Sequence, residues 1–272
     1  MNTAIALRNE ISKGLRFAWS ERLQIMIELP MFAVFIILLG PLIGQGNRIA
    51  SGQVNWSLHS DTTSVLIVWF VPFIFFYMQV VKMFWRILGE IQAGTLEQVF
   101  LSPLPPWLVA AAGRVVAALL ETLFVAAATY AIVSVFVPIH LHWSIAALLP
   151  TIAVVIAAIG LSLIIAGATL VYKRIQMVND GLLVLVMIFS ASALPLIQVP
   201  GWWADLSHAF PLTDAIGSLY SIMVAQHPVT SAWGIGGLVP LLTIPTVYLL
   251  AGIGIFILGE RVAKNRGTLG RY

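Results

Sequence analysis

The sequence predicts an all-α polytopic membrane protein with six transmembrane helices, and three observations predict it. Of its 272 residues, 60% are hydrophobic and only 9% are charged, against about 25% charged in ordinary soluble chains. Mean hydropathy is +0.98. Six apolar runs lie near 23–44, 63–84, 107–137, 144–171, 181–199 and 234–258, and each is of the order of the roughly 20 residues that a helix needs to cross a hydrocarbon core. Helix is the expected form because it bonds its own backbone where no water can. The runs make one membrane domain over 1–272, with an amphipathic interfacial helix at 1–22, the six-helix part at 23–259 and a tail at 260–272.

Taken in order, residues 3–20 place Leu7, Ile11, Leu15, Ala18 and Trp19 on one helical face and Arg8, Asn9, Ser12, Lys13 and Arg16 on the other. That is the pattern of a basic helix lying in the membrane interface. The first apolar run is too long for a signal-peptide core and no small-residue cleavage site follows it, so it is expected to stay as an anchor. Residues 45–61 read as a polar external loop. Pro72 inside the second run is expected to kink it. The third and fourth runs exceed a bilayer's needs and are expected to tilt or protrude. Residues 200–233 are too polar to span, yet contain Trp202, Trp203, Phe210, Leu212, Leu219 and Tyr220. They are expected to form one or two short helices packed at the outer membrane surface or dipping into it, and the spacing of Ile216, Leu219, Tyr220 and Met223 predicts an amphipathic helix after Thr213.

Basic residues set the orientation. Arg8, Lys13, Arg16 and Arg22 precede the first run, Lys82 and Arg86 close the second, and Arg114 opens the third. Lys173 and Arg174 separate the fourth and fifth, and Arg261, Lys264, Arg266 and Arg271 follow the sixth. The opposite side has Arg48, while 138–143 and 200–233 have neither Lys nor Arg. The positive-inside rule therefore puts both termini in the cytoplasm. The net charge of +3 is explained by this placement and does not suggest a nucleic-acid partner. With no cysteine in the chain, disulfides and thiolate metal sites are excluded.

Catalytic signatures are lacking. No GxxxxGK[ST] phosphate loop and no HExxH metal spacing occurs, and His140 and His142 read as solvated loop residues. Asp205, Ser207 and His208 lie near one another in sequence, but no GxSxG marks a nucleophile. Inside the runs, Arg114 is expected to snorkel to the cytoplasmic boundary. Glu121 follows it by two turns, roughly 10 Å along the same face, and must be paired, protonated or hydrated. It then serves either as a polar element of a pathway or subunit contact, or as a satisfied carboxyl in helix packing. Small residues such as Ala153/Ala157, Ser162/Ala166 and Gly252/Gly254 suit close helix approach. Phe73, Phe76 and Tyr77 form an aromatic stripe that suits either a pathway for lipophilic molecules or lipid contact and packing. So few intramembrane carboxylates argue that an ion gradient does not supply the energy.

The segment from Gly94 to Trp107 is amphipathic and sits between the second and third runs. Thr95 and Gln98 have capping-box spacing, Leu96, Val99 and Phe100 share a face, and Ser102-Pro103 ends the pattern. An ordinary membrane-surface loop would fit the same spacing. Gly94-Thr-Leu-Glu-Gln-Val-Phe-Leu-Ser-Pro-Leu104 resembles the GTLE-x-x-x-x-SPL signature in the first cytoplasmic loop of ABC-2 type permeases, the membrane subunits of ATP-binding-cassette exporters with the type V fold. Pro200-Gly-Trp-Trp203 and Phe210-Pro-Leu-Thr-Asp-Ala-Ile216 are similar to the family's LP-x-W and NPLT-x-x-(I/V) patterns, with Phe210 in place of Asn. The tail Arg266-Gly-Thr-Leu-Gly-Arg-Tyr272 also looks like permeases of this group.

The resemblance implies an exporter permease in the cytoplasmic (plasma, or cell inner) membrane. It pairs with a second copy or a homologous permease, within membrane lipids. Two ABC ATP-binding subunits dock beneath, and these bind the ATP and Mg while this chain holds no cofactor or metal and is not itself an enzyme. Thr95, Leu96, Glu97, Val99 and Phe100 become the helix that couples to the ATPase. Trp202, Trp203, Pro211, Leu212 and Thr213 become part of an outer gate over a route between protomers. Substrates across such permeases include drugs, lipids, glycans and peptides, and among these the apolar, aromatic second span better suits a lipophilic or amphipathic small molecule or lipid. An ion-coupled secondary transporter, or a membrane scaffold or enzyme subunit, is the alternative reading.

Overall fold

A computed structural model describes residues 3–20, positions 23, 26–27, 33–34 and 36–38, and residues 60–94, 105–137, 139–172, 175–194, 199–229, 231–234 and 236–266. Among them the chain forms helices α1 (Thr3–Ser20), α2 (Ser60–Gln92), α3 (Pro106–Phe136), α4 (Leu148–Val171), α5 (Gln176–Ala191), α6 (Gly201–Ser207), α7 (Thr213–Met223) and α8 (Leu238–Asn265), with a 3-10 turn at Ile145–Ala147 leading into α4. No strand occurs among these residues.

Among the described residues, four segments are long and apolar enough to cross a membrane: Thr62–Gln92, Pro106–Phe136, Ile145–Val171 and Leu238–Asn265. The expected run at 23–44 falls largely outside the described residues. Those described there are helical, and Ile36 joins the main core. The fifth run is shifted from its expected 181–199, since α5 starts at Gln176 and ends at Ala191, 16 residues in all. Its end has a local cause. The hydroxyls of Ser190 and Ser192 donate back to Met187 and Phe189 carbonyls at 3.0 and 2.6 Å, competing with the next helical turn, and Pro195 follows in the sequence. The sixth run extends past 258 to Asn265, and the Glu260–Lys264 pair at 2.5 Å spans one turn of that extension.

α2 is the central helix, the most enclosed of the four crossing segments, while α8 is the least. One side of α2 packs on α4 and another on α3, burying Phe70, Ile74, Phe76, Met78 and Phe84. Pro72 lies within α2. α1 packs along α3 with Gly14 buried and Arg8, Asn9, Lys13 and Arg16 exposed, and Lys13 Nζ reaches Glu90 of α2 at 3.0 Å.

The most extensive helix pair is α4 with α8, and glycines make it close. A methyl added at Gly160 would overlap the Tyr248–Leu249 backbone, and one at Gly167 the backbone of Ile255 and Phe256. From the other side, methyls at Gly252 and Gly259 would overlap the carbonyls of Gly160 and Gly167. The contact positions ascend together along both helices, so α4 and α8 run parallel. The chain between them must therefore return across the same distance, and α5 with the segment after it lies on that return.

Candidate functional site

Polar side chains sit on one face of α2 at helical spacing: Gln79, Lys82, Arg86 and Glu90. The Gln79 amide donates to Ser162 of α4 at 3.4 Å. Lys82 Nζ lies 3.0 Å from Glu121 Oε2 of α3, and an Arg114 guanidinium nitrogen lies 2.6 Å from the same oxygen. All three side chains are at least 95% enclosed. Arg86 Nε approaches Glu90 at 3.5 Å, and Lys13 completes that second group. The result is a row of ion pairs that joins α2, α3 and α1 and ends where α2 closes at Gly94. That glycine has φ +69 and donates to the Ile91 carbonyl at 3.2 Å, the left-handed close of a helix that favours glycine.

Arg114 does not snorkel outward, contrary to the expectation. It is 1% exposed and folds along its own helix to Glu121, which offers a charge partner without leaving the bundle. One carboxylate oxygen serving two cations holds the site together, since separating buried charges from their partners is costly. The part played by Lys82 was missed by sequence reasoning. No local spacing connects it to Glu121, and only the packing of α2 on α3 brings them together.

On the opposite side, α7 forms after Leu212 as the spacing predicts and, of the two placements expected, is the buried one. Every residue from Thr213 to Leu219 is buried, and α7 packs against α2, α4, α5 and α8. The cause is its composition: Ala215, Gly217 and Ser218 interleave with Ile216 and Leu219, so no face is polar enough to require water. Two of its polar side chains bond within the protein. Asp214 Oδ1 accepts from the Gly236 amide at 3.1 Å and lies 2.9 Å from His208 Nδ1, and the Ser218 hydroxyl donates to the Gly236 carbonyl at 2.9 Å. Burial pushes the Asp214 carboxyl above its ordinary value, while His208 and the Gly236 amide pull it back in part. The sequence showed Asp205, Ser207 and His208 but not this cluster. Asp205 is exposed, and Ser207 donates to the Ala204 carbonyl at 2.6 Å.

Of the other candidate residues, Leu212 and Thr213 are fully buried and Pro211 is buried. Trp202 is exposed, and Trp203 stacks on Phe189 with ring centres 4.5 Å apart. Phe76 is fully buried, and Phe73 and Tyr77 pack against the same core, Phe73 stacking on Trp69 at 5.7 Å. A cleft of about 450 Å³ opens elsewhere, between the first turns of α4 and α8 and the last turn of α7, lined by apolar residues including Ile145, Leu149, Ile152, Ile222 and Leu238. Thr95, Leu96, Glu97, Val99 and Phe100 lie outside the described residues. No grouping of three or more His, Cys, Asp or Glu that could hold a metal occurs among the described residues. Residues 15–224, from within α1 to just past α7, match a family model described as ABC-2 type transporter. No curated protein matches the chain.

Proposed function

The chain belongs to the ABC-2 type transporter family, a multi-pass membrane permease, and from that premise we propose that it is the membrane subunit of an ATP-driven exporter. It crosses the cytoplasmic membrane six times with both termini inside, pairs with a second permease, and takes its energy from a separate ABC ATP-binding subunit that holds the ATP and Mg. The observation that carries this reading is the family match, which runs through the segment between α2 and α3. The chain has no phosphate loop of its own, so the hydrolysis belongs to a partner.

Gly94 ends α2 and Pro105–Pro106 starts α3, so residues 95–104 lie between two helices that share the Lys82–Glu121–Arg114 ion group. Movement of that connection reaches both helices together. Leu96, Val99 and Phe100 supply the apolar face that a groove on the ATPase receives. The outer residues Trp202, Trp203, Pro211, Leu212 and Thr213 close the far end of the route, and the substrate is a lipophilic or amphipathic molecule. Phe73, Phe76 and Tyr77 act as packing beside that route.

Co-expression of the chain with its ATPase tests this reading. Phe100→Asp removes an apolar anchor of about 1.5–3 kcal/mol and puts a charge at the contact. Association with the ATPase should therefore weaken by at least about tenfold, with insertion in the membrane unchanged. Transport that persists without an ATPase, or co-purification untouched by Phe100→Asp and Leu96→Asp, would move the ion-coupled reading ahead.

A further inference from the structure

Three outer segments meet at Gly236. Asp214 and Ser218 stand one turn apart on α7 and grip both polar groups of this one residue, its amide at 3.1 Å and its carbonyl at 2.9 Å. Gly236 has φ +78, and a methyl added there would come within 3.0 Å of the Gly217–Ser218 peptide, so the grip needs glycine. Two residues later α8 begins. The third segment is the corner between α6 and α7, which brings His208 Nδ1 to 2.9 Å from the same Asp214 oxygen. The other carboxylate oxygen, Oδ2, is buried with no hydrogen-bond partner. The Asp214 side chain is 4% exposed and that of His208 27%, so water reaches the imidazole and not the carboxylate.

We propose that Asp214 is a positioning residue in a proton-sensitive latch: with Ser218 it holds Gly236, and with it the start of α8, against α7, and the charge on His208 sets how firmly. A buried carboxylate is stabilised by a cation beside it and penalised when that cation is neutral. Imidazole is the side chain whose charge changes between about pH 5 and 8, so acid outside tightens the latch and alkali loosens it. His208 is the ionisable side chain in contact with Asp214. Other ionisable groups on the elements around α7 lie elsewhere. Lys82, Arg86 and Glu90 of α2, Asp180 of α5 and Glu260, Arg261 and Lys264 of α8 stand toward the far ends of their helices. Asp61 is in the first turn of α2, Asp205 of α6 is exposed, and the Tyr248 hydroxyl of α8 donates to the Ala209 carbonyl at 3.0 Å. On the loops beside α7, the His142 amide bonds the Met223 carbonyl and the His227 amide the Ser221 carbonyl, and His140 bonds Ser64.

The native chain has no cysteine, so Leu241→Cys makes a single reporter on the first turn of α8, at a position 1% exposed. The probe is a maleimide applied to the full chain in detergent, with each rate divided by that of the denatured protein at the same pH. That ratio removes the thiol's own titration. Labelling should rise about tenfold from about pH 5.5 to 8, the scale of one charge-assisted hydrogen bond. Adding His208→Asn, which keeps a donor near the Nδ1 position but no charge, should flatten the profile. Ser218→Ala should raise labelling at both pH values and keep the slope, and His227→Asn should change nothing. A slope that survives His208→Asn, one that vanishes in His227→Asn, or labelling unmoved by Ser218→Ala would overturn the latch. No ATPase is present in this assay, so its outcome and that of the exporter reading fail separately.

Discussion

At Glu121 a single carboxylate oxygen lies within 3.0 Å of Lys82 and 2.6 Å of Arg114, so its removal leaves two buried cations facing each other. Breaking a buried pair costs about 3–5 kcal/mol. Glu121→Gln should lower the thermal stability of the purified protein by an amount on that scale, and Glu121→Lys should lose more because a third cation joins the group. Adding Lys82→Met to Glu121→Gln should recover part of the loss. A Glu121→Gln protein that melts with the parent would show that neither cation depends on the carboxylate. Asp214 gives the second residue-scale prediction. Its native pKa is raised above 3.8 by burial, so its contribution is complete below that ordinary value and is lost as pH climbs through the raised one. The melting temperature of the parent should fall relative to Asp214→Asn over that climb, and parallel pH profiles for the two proteins would refute it. Half of this chemistry was legible beforehand. Glu121 and Arg114 share a helix, so their spacing alone shows that they can meet. Lys82 and Gly236 are brought to their carboxylates by tertiary packing, for which local spacing carries no signal.

Among the elements, the α4–α8 pair depends on atoms that are missing. Gly160 and Gly167 face Gly252 and Gly259 with no room for a Cβ, and in a membrane such close backbone approach replaces the hydrophobic drive that holds soluble helices together. Gly252→Ala should therefore cost about 1–3 kcal/mol through forced separation. Gly254→Ala, on the same helix with nothing within 4 Å, should be silent in the same melting assay. Equal effects would mean that glycine acts here through helix propensity, which penalises neither substitution. The sequence suggested Gly252 and Gly254 as a pair, and only the first packs in this way. Apolar length is a strong signal for a crossing segment, which is why the second, third, fourth and sixth runs reappear as long helices. The choice between a surface and a buried α7 was not legible because a short helix of small and apolar residues reads alike whether it lies on a surface or inside a bundle.

For the whole molecule, the parallel course of α4 and α8 constrains the topology independently of charge. Two consecutive long helices that point the same way require a return between them, and the last turn of α4, which Lys173 and Arg174 follow in the sequence, and the basic 260–266 end of α8 fall on one side by this geometry. The positive-inside rule calls that side cytoplasmic. On the same side lie Lys13 and Glu90, whose bond ties α1 to α2, while Gly236 and the Asp214 cluster lie on the other. Cysteines placed one at a time in the cysteine-free chain read this out in intact cells. An impermeant maleimide should reach Trp202→Cys and Asn55→Cys from outside, whereas Glu10→Cys and Arg266→Cys should react only after the membrane is opened. Positions 202 and 266 reacting from the same side would break the parallel geometry of α4 and α8. Position 10 reacting from outside would instead leave that geometry standing and put the 95–104 connection on the wrong side for an ATPase, which would remove the basis of the exporter reading.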